Sequence, residues 1–142
     1  MTLEGNILKV LVPEFKIPSQ FTFPKGTNSC VASISISQLN ISQSIKNWAL
    51  YHSFEINADQ EVYPAQELAF EVENECLCVA VIGLFYSEKY NGTSTTYNSK
   101  AFSPANVIGA LITPGVYVAP PLPPISHSSF DNRWTFESKL KF

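Results

Sequence analysis

A period of two runs through most of this chain and restricts its fold more than any other feature. Between Cys30 and Ser37, Ala32, Ile34 and Ile36 alternate with Ser33, Ser35 and Ser37. Successive side chains of an extended strand point to opposite faces, so this spacing predicts a half-buried strand with its serines outside. The pattern shifts at Gln38, where Leu39 and Ile41 fall on the serine side, which predicts a bulge or a strand end there. From Trp48 to Asn57, Trp48, Leu50, Phe54 and Ile56 share one side, with Tyr51, Ser53, Glu55 and Asn57 on the other. Residues 67–73 place Leu68, Phe70 and Val72 inward and Glu67, Glu71 and Glu73 outward. Leu77 to Tyr86 is apolar on both sides, which predicts a central strand covered on both faces.

Turn chemistry separates these runs. Residues 25–29, 57–60 and 73–75 have turn compositions, the last read as a hairpin, and Asn91-Gly92 is the strongest hairpin signal. Pro13, Pro18 and Pro24 punctuate the N-terminal stretch. Proline cannot donate to a ladder, so residues 1–24 are expected as an edge strand or an arm. Residues 101–113 are ambiguous. Ser103-Pro104 suits a helix start, while Gly109 and the β-branched content favour a strand. Six or more short strands at close intervals, with no long amphipathic helix, predict an all-β chain. The expected architecture is a β-sandwich, of jelly-roll or related Greek-key topology, with extended N- and C-terminal segments. At 142 residues the chain is expected to be one domain, large enough to bury a core without metal or disulfide. The expected division is a body over 1–113, a proline-rich extended arm over 114–133 and an amphipathic strand over 134–142.

Charged residues make up 15% of the chain, well below the usual quarter, so much of the surface can be buried against a partner at small desolvation cost. The net charge is −3 and Arg133 is the single arginine. Nucleic-acid binding needs a clustered basic footprint, which is absent from this sequence. No Lys or Arg lies between Lys46 and Lys89, whereas Glu55, Asp59, Glu61, Glu67, Glu71, Glu73 and Glu75 all do, which reads as a solvated strand face. The longest apolar run, Leu77 to Tyr86, is half of what a membrane-spanning helix needs, and no membrane partner is expected. Residues 1–9 carry no basic region followed by an apolar stretch, so the expectation is cytoplasmic synthesis without export by a signal peptide. Cys30, Cys76 and Cys78 are an odd number and lack zinc-site spacing; buried free thiols are expected.

Catalytic and metal constellations are thin. His52 lies on the apolar side of its strand, and His127 lies in a polar stretch beside Ser126 and Asp131 without the glycines of a nucleophile elbow. Asn57, Asp59 and Glu61 could form a loose calcium site but lack the EF-hand loop's glycine and distal glutamate. No catalytic residue, cofactor or metal site is expected. Asn40-Ile41-Ser42 and Asn91-Gly92-Thr93 match the glycosylation pattern and read as chance. Tyr86, Tyr90 and Tyr97 suggest either packing across a hairpin or a sugar-stacking platform.

The C-terminal residues suggest a use for the fold. Pro114 to Pro124 is a stiff connector containing Tyr117, Leu122 and a doubled P-x-x-P spacing, and from Pro114 to Arg133 an extended chain reaches roughly 60 Å. Beyond it, Trp134, Phe136, Leu140 and Phe142 alternate with Thr135, Glu137, Lys139 and Lys141. Together with Tyr117 and Leu122 these four are the expected partner-binding residues. An alternating strand on a stiff tether suits strand addition to a neighbouring subunit. The expected function is non-enzymatic: a structural protein of a multi-subunit particle whose partners are other protein subunits. By organisation alone the chain resembles the small coat-stabilising or tail-adaptor proteins of tailed phages, which implies a virion-associated cement, decoration or adaptor role. The alternative is a carbohydrate-binding β-sandwich using the tyrosines near 86–97.

Overall fold

The computed structural model describes residues 1–43 and 45–118, without the side chains of 45–48. The described residues form β-strands and no helix. A three-stranded antiparallel sheet has the order β1-β2-β7, from β1 (Thr2–Glu4), β2 (Ile7–Val12) and β7 (Gln66–Glu71). A five-stranded antiparallel sheet has the order β10-β8-β4-β5, from β4 (Ser29–Asn40), β5 (Ile45–Asn57), β8 (Leu77–Tyr90) and β10 (Ala105–Ile112). Its fifth strand, β9 (Thr93–Thr96), pairs with the far end of β8. A short pair joins β3 (Phe15–Lys16) to β6 (Val62–Tyr63).

Each sheet follows from the alternation. Inward positions on β4 run from Cys30 through Ala32, Ile34 and Ile36 to Gln38 and Asn40 without a break. The irregularity foreseen near Gln38 is present as a register shift between Ile36 and Gln38, but β5 carries the extra residue, so β4 stays straight. Residues 101–113 resolve as a strand: β10 pairs with β8 from Ala105↔Gly83 to Ile112↔Leu77. Asn91 and Gly92 both take positive φ, 47° and 77°, and close the β8–β9 hairpin. Such a turn favours asparagine and glycine because its twist matches that of the flanking strands.

Residues 7–12 belong to the body. β2 is the middle strand of its sheet, Leu8 is fully buried, and Val10 and Val12 are buried beside it. The prolines taken as edge markers fall in the connections: Pro13 follows β2, and Pro18 lies in the turn after β3. Leu8, Val10 and Phe70 from one sheet, with Val72 just after β7, share a single hydrophobic cluster with Ile34, Ile36, Cys78 and Ala80 from the other. One end of this core is aromatic: Phe15 stacks on Tyr63, and Tyr86 meets Phe21, Phe23 and Phe102.

The turn at 74–75 exists but makes no hairpin. It carries the chain from β7 in the three-stranded sheet to β8 in the five-stranded one, with Glu75 at φ 54°. Backbone groups of this crossover therefore sit against the core and need partners. Gln38 Oε1 accepts from the Glu73 N–H at 2.7 Å, and Asn40 Nδ2 donates to the Glu75 carbonyl at 2.9 Å. The Thr113 hydroxyl accepts from the Cys76 N–H at 2.9 Å and donates to the Glu73 carbonyl.

Cys30, Cys76 and Cys78 are fully buried free thiols. Burial pushes Cys30 and Cys78 up to about 11 and also raises Cys76. In the native chain all three should resist alkylation at pH 8, because only the thiolate reacts and it is scarce and shielded. Thiol titration should count none before denaturant is added and three after. Rapid native labelling of any one would contradict this packing.

Candidate functional site

The outer face of the five-stranded sheet is the surface on which the described structure concentrates unusual chemistry. Inward-facing Cys78, Ala80 and Tyr86 on β8 leave Leu77, Val79, Val81, Gly83 and Phe85 facing out. The register sets these beside the outward row of β4, pairing Val31 with Phe85, Ser33 with Gly83 and Ser35 with Val81. On the other flank, Leu77 meets Ile112, Val79 meets Ala110 and Val81 meets Val107. A bulge between Val107 and Gly109 inserts Ile108 into β10, so two residues oppose Val81.

The rows differ in exposure. Ile112 is 66% exposed, Val107 59% and Phe85 49%, while Leu77, Val79 and Val81 between them are half-buried. The Phe85 ring lies over Gly83, where an added Cβ would come within 3.3 Å of it. A side chain at 83 would lift that ring and roughen the face, which gives this glycine a packing reason.

Among the described side chains of this face, charge gathers at one corner. On β5, Tyr51 lies opposite Ser35, and Ser53 lies opposite Ser33 with their hydroxyls 3.4 Å apart. Next along, Glu55 pairs with Lys89 and accepts from Ser29 Oγ at 3.1 Å. The Lys89 ammonium holds the Glu55 carboxyl below the ordinary range. From Val31 to Leu39, Leu77 to Phe85 and Ala105 to Ile112 no charged side chain occurs. Glu67, part of the acidic run, pairs with Lys9 on the other sheet.

β8 was expected to be central and covered on both faces. It is central, but among the described residues only its inner side belongs to the buried hydrophobic cluster. Its apolar outer side is therefore a surface rather than core. Three outward serines on β4 mark this side of the sheet as unburied, but only the β4–β8 pairing shows that β8 shares it.

The structure also separates several groups that the sequence placed together. Tyr86 is buried, Tyr97 packs edge-on against Phe102 at 5.5 Å, and Tyr90 stands 74% exposed at the hairpin tip. His52 is exposed, its ring 5.1 Å from Phe70. Asn57 and Asp59 border a cavity of about 400 Å³ with Asn28 and Lys89. Among the described residues no group of three or more His, Cys, Asp or Glu is placed to hold a metal ion. No described helix is long and apolar enough to cross a membrane.

The connector begins on the body. Gly115, at φ 91°, packs against Asn74, and the Tyr117 N–H donates to Glu75 Oε2 at 3.2 Å. Tyr117, expected to meet a partner, is 5% exposed and belongs to the core of its own chain, while Val116 and Val118 on either side are exposed. Leu122, Trp134, Phe136, Leu140 and Phe142 lie outside the described residues, as do His127, Ser126 and Asp131. No family model, curated protein or solved structure matches this chain.

Proposed function

We propose that this chain is a non-enzymatic assembly protein, a β-sandwich body that links the subunits of a larger particle in the manner of a small capsid-decorating or tail-adaptor protein. The sandwich reading rests on the shared core: the inward residues of β2 and β7 and those of β4 and β8 form one cluster. The functional reading rests on the outer face, where aliphatic side chains of β8 and β10 stand at the surface without a charge among them. At usual strand spacing and rise, these two strands over seven residues give an apolar footprint of roughly 220 Å², bordered by the uncharged serine row of β4. Low overall charge and the proline-rich connector fit the same use.

The test is native mass spectrometry and sedimentation of the purified full chain, alone and with the proteins encoded beside it. A stable multi-chain complex in either sample is the expected result. A compact monomer in both samples overturns the reading.

A further inference from the structure

We propose that the free edge of β10 receives residues 134–142 of a second copy of this chain, with Trp134, Phe136, Leu140 and Phe142 extending the outer apolar row beside Val107 and Ile112. This inference rests on the assembly reading and names its partner.

Three observations carry it. The first is the edge itself. β10 ends its sheet, pairing with β8 alone, and so presents backbone donors and acceptors with no described strand beside them. Edge strands are normally defended by charge or proline. Across Ala105–Ile112 there is neither, and the one bulge leaves Gly109–Ile112 regular. The opposite edge, β5, carries Glu55, and β1 carries Glu4.

The second observation is complementarity. An eight-residue strand faces a nine-residue alternating segment. Aromatic side chains beside β-branched ones are among the more favourable cross-strand pairs, and large rings also reach diagonal neighbours. Trp134 and the two phenylalanines would cover Val107 and Ile112, whereas Glu137, Lys139 and Lys141 would take the opposite side.

The third observation is the connector, which selects a second copy over the chain's own tail. Joining β10 to an antiparallel neighbour within one chain takes about two to five residues. Here residues 113–133 intervene, with Pro114, Pro120, Pro121, Pro123 and Pro124 among them. The connector is held at its start, where Gly115 and Tyr117 meet Asn74 and Glu75 near the Ile112 end of the sheet. The fifteen residues 119–133, if extended, reach roughly 46 Å, against roughly 26 Å for the whole of β10. Such a tether is far longer than an antiparallel return to its own edge needs, and long enough to reach a neighbour's.

The experiment uses full-length variants in sedimentation and native mass spectrometry. Ile112→Asp and, independently, Val107→Lys alter exposed side chains of the edge; Phe136→Asp with Phe142→Asp alters the segment. Each variant alone should lose the oligomer formed by the unsubstituted chain while keeping its unfolding midpoint. Mixing an edge variant with the segment variant should restore one contact and yield a dimer containing one of each. If the unsubstituted chain assembles and the edge and segment variants assemble as well as it does, this inference falls while the assembly reading stands. A monomeric unsubstituted chain that still binds a neighbouring gene's product has the same meaning. A monomer in every sample overturns both.

Discussion

Leu8→Ala should lower the free energy of unfolding by about 2–5 kcal/mol, the range for deleting a buried leucine side chain without full collapse of the cavity. Leu8 is 0% exposed and lies on β2, between β1 and β7. It stands opposite Leu3 on one side and Phe70 on the other. Against a total of about 5–15 kcal/mol such a loss is large. With a urea slope of about 2 kcal/mol per molar it moves the midpoint by roughly 1–2.5 M. Leu11→Ala is the control. Leu11 is three residues along the same strand but 64% exposed, and its replacement should stay within about 0.5 kcal/mol. Urea titration of both variants checks the pair. Equal, small effects would mean that residues 7–12 are an accessory arm, which their proline spacing had suggested.

Thr113→Val should cost about 1–3 kcal/mol although it preserves shape. Valine keeps the volume and removes the hydroxyl that serves both the Cys76 N–H and the Glu73 carbonyl. Cys76 is fully buried, so its amide would have no water to turn to, and an unsatisfied buried donor costs more than an average hydrogen bond contributes. The backbone bond from Thr113 N to the Cys76 carbonyl, 2.9 Å, survives the change. Thr113→Ser keeps the hydroxyl and gives up one methyl, so it should be the milder variant. Thermal or urea unfolding of the two separates the causes. A serine variant as unstable as the valine one would assign the effect to packing instead of hydrogen bonding.

Gln38 and Asn40 show why such contacts were hard to foresee. Along β4 they occupy inward positions, where the alternation calls for apolar side chains, and they first look like the end of a strand. The structure shows them serving the crossover at 73–76, and a neighbour 35 residues away in sequence explains both. The same distance effect governs the turn at 73–75. Its composition announces a change of direction, which occurs, but a turn does not specify whether the next strand returns to its own sheet or crosses to another. The open outer face of β8 was hidden for a related reason. Leu77 to Tyr86 is equally apolar on both sides, and composition cannot say which side another layer covers.

What the sequence by itself determined is several of the strands and their inward sides: the alternations at 30–37, 50–57 and 67–73, with the hairpin at Asn91-Gly92 and the free state of three cysteines. These are local properties, set by backbone geometry over a few residues and by the side chains that geometry presents together. Only the tertiary structure decided that β2 is central, that the 73–76 crossover is clamped by Gln38, Asn40 and Thr113, that Tyr117 packs inward, and that one apolar face and one undefended edge of the five-stranded sheet stand open. Pairing and layering are chosen by burial between residues far apart in the chain, and that competition leaves no mark within any single segment.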